Sequence, residues 1–310
     1  MELIRGLHNL RPRHQGCVLT IGKFDGVHKG HKAVLSNVLK KARELDLPAT
    51  VMVFEPQPEE VFAPAKAPAR LSTLSEKYRL LVQADIDRLL CVRFNQEFAS
   101  QSADTFIHDL LVDKLGVRFL VVGDDFRFGQ NRHGDFAMLQ QAGKQYGFEV
   151  VSTQSFRLDD NRISSTAVRE ALETGDFEKA ESMLGRPFSV QGRVVHGEKK
   201  GRTIGFPTAN VLLKRFRTPI KGVFAVSVTL NNTTFNGVAN VGRRPTLGGQ
   251  RTQLEVHLFD FNGDLYGRPI NVIPRKKLRD EHKFESFDAL KQQIQVDAEH
   301  ARRYFKVTDS

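Results

Sequence analysis

Two hydrophobic patterns share this chain, and the place where one gives way to the other limits the folds it can adopt. From residue 17 to residue 156, short apolar runs alternate with amphipathic stretches. CVLTIG, PATVMVFEP, RLLCVRF, RFLVVGDDFRFG and FEVVSTQSF read as strands. Between them lie HKAVLSNVLKKARELD, LSTLSEKYRLLVQAD, SADTFIHDLLVDKLG and FAMLQQAGKQYG, which read as helices; in the first, Val34, Leu35, Val38 and Ala42 show the spacing of a helical face. Ser72 or Thr73 is suited to cap the second and Gly116 to close the third. Strands and helices alternating at this spacing predict βαβ units and a parallel sheet, which binds ligands beyond the carboxyl ends of its strands.

Further on, ISSTAVREALETGDFEKAESMLG gives two short helices, broken at Gly175-Asp176 and stopped at Gly185. After Pro187 the runs become β-like: FSVQGRVVHG, GVFAVSVTLN, TFNGVANVG, QLEVHLFDF and RPINVIPRKKL. Turn residues separate them at Asn231-Asn232, Gly248-Gly249 and Asn262-Gly263, the last a strong hairpin signal. This predicts an antiparallel barrel or sandwich. A final helix aligns Phe287, Leu290, Ile294, Ala298, Ala301 and Phe305 on one stripe. A length of 310 residues suits two domains, and the change of pattern divides them at about 184–186: an α/β domain with a parallel sheet at 1–184 and a β-rich domain at 185–310.

Charge follows the same division. Residues 1–184 hold 24 Lys and Arg against 25 Asp and Glu, whereas residues 185–310 hold 22 against 11. A basic half fits nucleic acid, a polyphosphate substrate or a lysine-rich solvated surface. RNA readers interleave basic residues with exposed aromatics on a sheet face; here the aromatics of GVFAVSVTL and LEVHLFDF lie within apolar strands, so no nucleic-acid partner is expected. No apolar run approaches the ~20 residues that span a bilayer, so no membrane partner is expected. Cys17 and Cys91 lie in strand-like runs, read as reduced core residues, and favour the cytoplasm. The sequence specifies no oligomeric state.

The segment GKFDGVHKGH, Gly22 to His31, carries the first chemical signal. Gly22 ends a strand, Phe24 and Asp25 follow, and His28 and His31 fall at a helix start, three residues apart and so on one face. Gly30 between them leaves the backbone open to a ligand. A helix N-terminus adds free amides and partial positive charge. That set suits a phosphate; zinc would need a third ligand at suitable spacing. Downstream, Ser164, Ser165 and Thr166 of ISSTAVR offer hydroxyls and amides at another helix start, and Arg169 adds a bidentate fork. In the second half, GEKKGRTIGFPTANV is glycine-rich and basic, and alternation in LEVHLFDF turns Glu255 away from the face of Leu254, Val256 and Leu258.

GKFDGVHKGH followed by ISSTAVR resembles the HxGH adenylyltransferase superfamily. GEKKGRTIGFPTANV, GVANVGRRPTLGG and LEVHLFDF, in that order, resemble the riboflavin kinase fold. The whole chain is similar to the bifunctional bacterial riboflavin kinase/FAD synthetases. The resemblance implies a Rossmann-like nucleotidyltransferase domain and an antiparallel barrel kinase domain. It implies phosphorylation of riboflavin to FMN by the second and adenylylation of FMN to FAD by the first, with ATP and Mg²⁺ in both. Its expected catalytic residues are His28, His31, Arg169 and Glu255, the last as base. Gly22, Phe24, Asp25, Gly30, Ser164, Ser165, Thr166, Gly201 and Gly205 would bind ATP and its phosphates. Phe62, Asp125 and Phe128 would bind flavin, and Thr208 and Asn210 would hold the metal.

Overall fold

A computed structural model describes residues 1–156, 163–196, 206–213, 215, 217–246 and 249–308. By packing, the chain falls into two compact units: Met1–Pro68 with Leu74–Ser164, and Ala69–Thr73 with Ser165–Ser310.

The first unit is built on six parallel strands: β1 (Glu2–Arg5), β2 (Cys17–Ile21), β3 (Ala49–Glu55), β4 (Arg88–Arg93), β5 (Val117–Val122) and β6 (Glu149–Ser152). Their order is β1-β4-β3-β2-β5-β6, parallel in every pair. Helices α1 (Lys29–Glu44), α2 (Pro58–Phe62), α3 (Leu74–Val82), α4 (Gln96–Ala99), α5 (Ala103–Thr105) and α6 (Phe136–Tyr146) connect them, and α5 runs directly into a π-helical segment, Phe106–Lys114. Alternate strand residues feed two cores. Val18, Val51, Val53 and Leu89 pack with Leu35 and Val38 of α1 and Leu81 of α3. Leu19, Ile21, Met52, Leu90 and Leu120 pack with Phe106, Ile107 and Leu111 of the π segment and Leu139 of α6. A sheet buried on both faces explains why CVLTI is buried throughout rather than on alternate residues. Cys17 and Cys91 form no disulfide and are buried in these cores, and burial pushes the Cys17 thiol up to about 12, so it stays protonated and inert.

The chain leaves β2 in one direction for β3, and β5 later returns to the other side of β2. The carboxyl ends of β2 and β5 therefore flank the point where the winding reverses, the place where doubly wound sheets form ligand crevices.

The second unit opens with α7 (Ser165–Thr174) and α8 (Phe177–Leu184), followed by β7 (Val190–Val195), β8 (Ala209–Leu212), β9 (Gly222–Leu230), β10 (Thr233–Thr246), β11 (Gly249–Leu258), β12 (Pro269–Arg279) and α9 (Phe287–Thr308). The six strands close an antiparallel barrel in the order β10-β11-β8-β7-β12-β9. Its interior takes Val211, Phe224, Val226, Val228, Ala239, Val241, Leu254 and Val256. Ala298, Ala301 and Phe305 of α9 cover Val223, Ala225 and Val238 on the outside. Arg279 of β12 pins that helix through Nε and Nη2, which donate to the buried Asp297 carboxylate at 3.0 and 2.8 Å.

Compactness divides the chain at a different place from the change of pattern at 185. Val168, Ala171, Leu172, Ala180 and Leu184 of α7 and α8 share one core with the barrel residues. A side chain of this kind contributes about 1.5–3 kcal/mol when fully buried, and a domain holds only about 5–15 kcal/mol in total. Removing the helix pair thus costs on the order of the barrel's whole stability. Residues 165–310 are expected to melt cooperatively by circular dichroism, and residues 185–310 at a midpoint lower by 10 °C or more, on the scale of roughly 4 °C or more per kcal/mol for a domain of this size. Equal midpoints would show that α7 and α8 add nothing.

Candidate active sites

At the end of β2 the chain passes Gly22 and enters a loop in which Phe24 (φ 45°), Gly26 (φ 77°) and Val27 (φ 40°) are all left-handed. For Phe24 and Val27 such a backbone costs about 1–3 kcal/mol each. Both are buried, Phe24 at 4% exposure and Val27 at 0%, so packing holds the bend. Asp25, between them, is buried too.

The bend delivers His28 to the N-cap of α1, where its Nδ1 accepts from the His31 backbone N–H at 3.3 Å. An accepting Nδ1 carries no proton, so the neutral ring holds its hydrogen on Nε2. The two imidazoles stack, with centroids 3.7 Å apart and planes 20° apart. Phe24 lies 5.0 Å from the His31 ring. Burial, then the neighbouring His28, then the wholly buried Lys77 hold the His31 pKa well below the usual 6.5. His31 is therefore neutral at pH 7. The pair offers neutral donors to an anion, and the positive field comes from the helix start and Lys77. The space beside Gly30 is taken by the chain itself: a Cβ there would sit 3.0 Å from the Ile163 carbonyl oxygen and 3.2 Å from the His28 ring. Glycine at this position lets two backbone segments approach, and it leaves less open ground for a ligand than the spacing alone suggests.

Beside this loop, the carboxyl ends of β2, β3 and β5 border a cavity of about 960 Å³. Phe54, Phe62, Phe94, Phe98, Phe126 and Phe128 line much of it. Phe62 is 57% exposed and meets Phe94 edge-on at 5.6 Å. It is thus an aromatic surface facing space rather than core. Phe128 is buried and packs on Phe106 at 4.9 Å, while Asp125 is exposed at the rim. A Lys23–Glu59 ion pair and Arg127 and Arg132 add charge to the lining.

In the second unit, Ser165 opens α7 immediately after Ser164, and Thr166 is exposed. Arg169 directs Nε to the Ala69 carbonyl at 2.6 Å.

The barrel holds the remaining motif. In the antiparallel registers Asn210 of β8 stands opposite Glu255 of β11, and Glu255 opposite Asn240 of β10. Leu254 and Val256 point into the barrel, so this row lies on the outer wall. Glu255 is half-buried and Asn210 buried, with Thr208 exposed just before β8. Gln253 Nε2 donates to Asn210 Oδ1. His257 Nδ1 meets the Pro207 carbonyl at 2.9 Å. Asn240 Oδ1 is buried without a hydrogen-bond partner among the described residues. A hydroxyl, a carboxamide and a carboxylate are hard oxygen donors, a set that suits Mg²⁺ beside phosphates. Gly201 and Gly205, with Lys199, Lys200 and Arg202, lie outside the described residues.

Two families match, one for each motif set: FAD synthetase over residues 10–167 and riboflavin kinase over residues 184–305. The bifunctional riboflavin kinase/FMN adenylyltransferase of Escherichia coli (strain K12) is 57% identical, with 99% of both chains covered. This chain belongs to the bifunctional riboflavin kinase/FMN adenylyltransferase family. Further members of the riboflavin kinase/FMN adenylyltransferases, from Haemophilus influenzae and Pseudomonas fluorescens, are 54% and 52% identical over 98% and 97% of this chain. A crystal structure from Streptococcus pneumoniae, described as a macrolide-efflux protein, superposes with a TM-score of 0.75 at 32% identity, covering 97% of this chain and 99% of its own. That likeness speaks for the fold. Among the described residues no helix is long and apolar enough to cross a membrane.

Sequence reading gave no role to Lys77, Gln253, His257 or Asn240, although alternation turns His257 to the same face as Glu255. Lys77 had a signal, since it falls on the stripe of Leu74 and Leu81, where a helix expects an apolar residue. Gln253 and His257 follow from the alternation that placed Glu255. Asn240 follows only from the register.

Proposed function

We propose that this chain makes FAD from riboflavin in two ATP-dependent steps, phosphorylation to FMN by the second unit and adenylylation of FMN through the HxGH segment of the first. The observation that carries the reading is the cross-strand pair Asn210–Glu255 on the outer wall of the barrel, with Thr208 two residues before Asn210 in the chain. A carboxylate opposite a carboxamide oxygen supports this reading, because hydroxyl phosphorylation needs a base close to the oxygen donors that hold a cation.

In the kinase step, Glu255 takes the proton of the riboflavin primary hydroxyl as its oxygen attacks the γ-phosphorus of ATP and ADP leaves. Thr208 and Asn210 would hold Mg²⁺, which when bound offsets phosphate charge. In the adenylyl step, an oxygen of the FMN phosphate attacks the α-phosphorus of ATP and pyrophosphate leaves. That nucleophile is already ionised near neutral pH, so no strong base is needed. The task is to hold two anions together. His28 Nε2–H, the neutral His31 and the amides at the start of α1 are donors for the charge developing on the phosphate. Arg169, with Ser164, Ser165 and Thr166, adds phosphate donors. Gly22, Phe24 and Asp25 shape the loop that presents His28, and Gly30 keeps it close-packed. Phe62 and Phe128 offer faces to the isoalloxazine ring, with Asp125 at the rim. Two reduced, buried cysteines favour work in the cytoplasm.

The test is a time course with riboflavin, ATP and Mg²⁺, the products separated by chromatography. FMN is expected first and FAD after it. Folded protein that makes neither product would refute the assignment, and FMN without FAD would restrict it to the kinase.

A further inference from the structure

One face of β11 bears three polar side chains in succession, Gln253, Glu255 and His257, while Leu254, Val256 and Leu258 fill the barrel. The outer two each grip a different part of the segment Pro207-Thr208-Ala209-Asn210. We propose that Gln253 and His257 are positioning residues of the kinase site, fixing Asn210 and Thr208 in the arrangement that receives the Mg²⁺ of the nucleotide. This inference rests on the kinase reading above.

At one end, Gln253 donates to Asn210 Oδ1. A carboxamide oxygen has two lone pairs; the bond occupies one, fixes the rotamer, and leaves the other for a cation. At the other end, a carbonyl can only accept, so His257 must carry its proton on Nδ1 to bond Pro207 at 2.9 Å. That carbonyl belongs to the peptide that continues into Thr208. Proline donates no backbone hydrogen bond, and Pro207 and Thr208 precede β8, outside the ladder that holds Asn210. His257 thus supplies an anchor that the sheet does not. The ring is itself held, edge-on to Phe206 at 5.2 Å and to Phe259 at 5.8 Å. Metal-binding side chains left without such partners lose affinity, typically about 10–100-fold.

The test uses the full-length chain and three variants. His257→Phe keeps the ring and removes the donor. His257→Asn places a carboxamide N–H on the atom that Nδ1 occupies, one bond from Cγ. Gln253→Leu keeps the shape and removes the other donor. For His257→Phe and Gln253→Leu, the Mg²⁺ concentration for half-maximal riboflavin phosphorylation should rise at least tenfold, while FMN-to-FAD conversion is unchanged. His257→Asn should stay within about threefold of wild type, below the roughly tenfold minimum that loss of such a partner costs. A binding readout accompanies the kinetics: Mn²⁺ uptake with ADP, followed by electron paramagnetic resonance in a His28→Ala/His31→Ala background, should weaken by the same factor. An unaltered Mg²⁺ requirement in His257→Phe and Gln253→Leu would overturn the proposal, as would His257→Asn impaired as badly as His257→Phe. Absence of riboflavin phosphorylation in the wild-type chain would instead remove the kinase reading and this inference with it.

Discussion

Replacing His28 and His31 together by alanine is expected to lower FAD formation from FMN by about 10⁴-fold or more, while riboflavin phosphorylation continues near its normal rate. A preorganised donor aimed at developing charge is worth about 10²–10³ in rate, and this pair supplies two. The structure adds a reason for the effect to be large: His28 caps α1 and stacks on His31, so the double variant removes both donors and the cap that aims them. Loss of the cap alone costs about 0.5–2 kcal/mol of stability, too little to unfold a domain but measurable by calorimetry. A variant that stays folded and keeps FAD synthesis within tenfold of normal would show that the adenylyl transfer occurs elsewhere. His31 also sets an acid limit. The folded chain holds His31 neutral below the usual 6.5, whereas the unfolded chain protonates there. Stability from this group is thus complete above that value and is lost as the pH falls below it.

Glu255→Gln is expected to do the opposite, cutting riboflavin phosphorylation by about 10²–10⁴, the contribution of a positioned base, with FMN-to-FAD conversion intact. Glutamine keeps the size of glutamate, and the side chain is only half-buried, so the core of Leu254 and Val256 beneath it is undisturbed. Parallel assays of both half-reactions with one preparation give the answer. Equal loss of both activities in folded protein would refute two separate sites.

The sequence was most informative where structure is local. Alternation in LEVHLFDF was enough to turn Glu255 outward, and the spacing of His28 and His31 was enough to put both on one helix start. It was least informative where a residue's state depends on a distant partner. β1 has four residues and no period of its own; it is a strand because it pairs with β4 more than eighty residues later. The π-helical stretch buries Phe106, Ile107, Leu110 and Leu111, a pattern that an ordinary α-helix would also show. Helices α7 and α8 carry a helical period, and nothing local tells which core their apolar faces join. Phe62 could be separated from twenty-two other phenylalanines only by its exposure.

The two sheets also bear on how this chain behaves at high concentration. A strand at the edge of a sheet exposes unpaired amides and carbonyls that recruit other chains, the first step towards insoluble aggregates. The barrel avoids this by having no edge at all. The parallel sheet has two, β1 and β6, each four residues long, with Glu2 and Arg5 on one and Glu149 on the other. Short, charged edges are poor templates, whereas the long apolar strands β2, β3 and β4 are enclosed between neighbours. Most of the chain's β-forming sequence is thereby kept out of reach of a second copy, and solubility is protected in one unit by closure and in the other by brevity and charge.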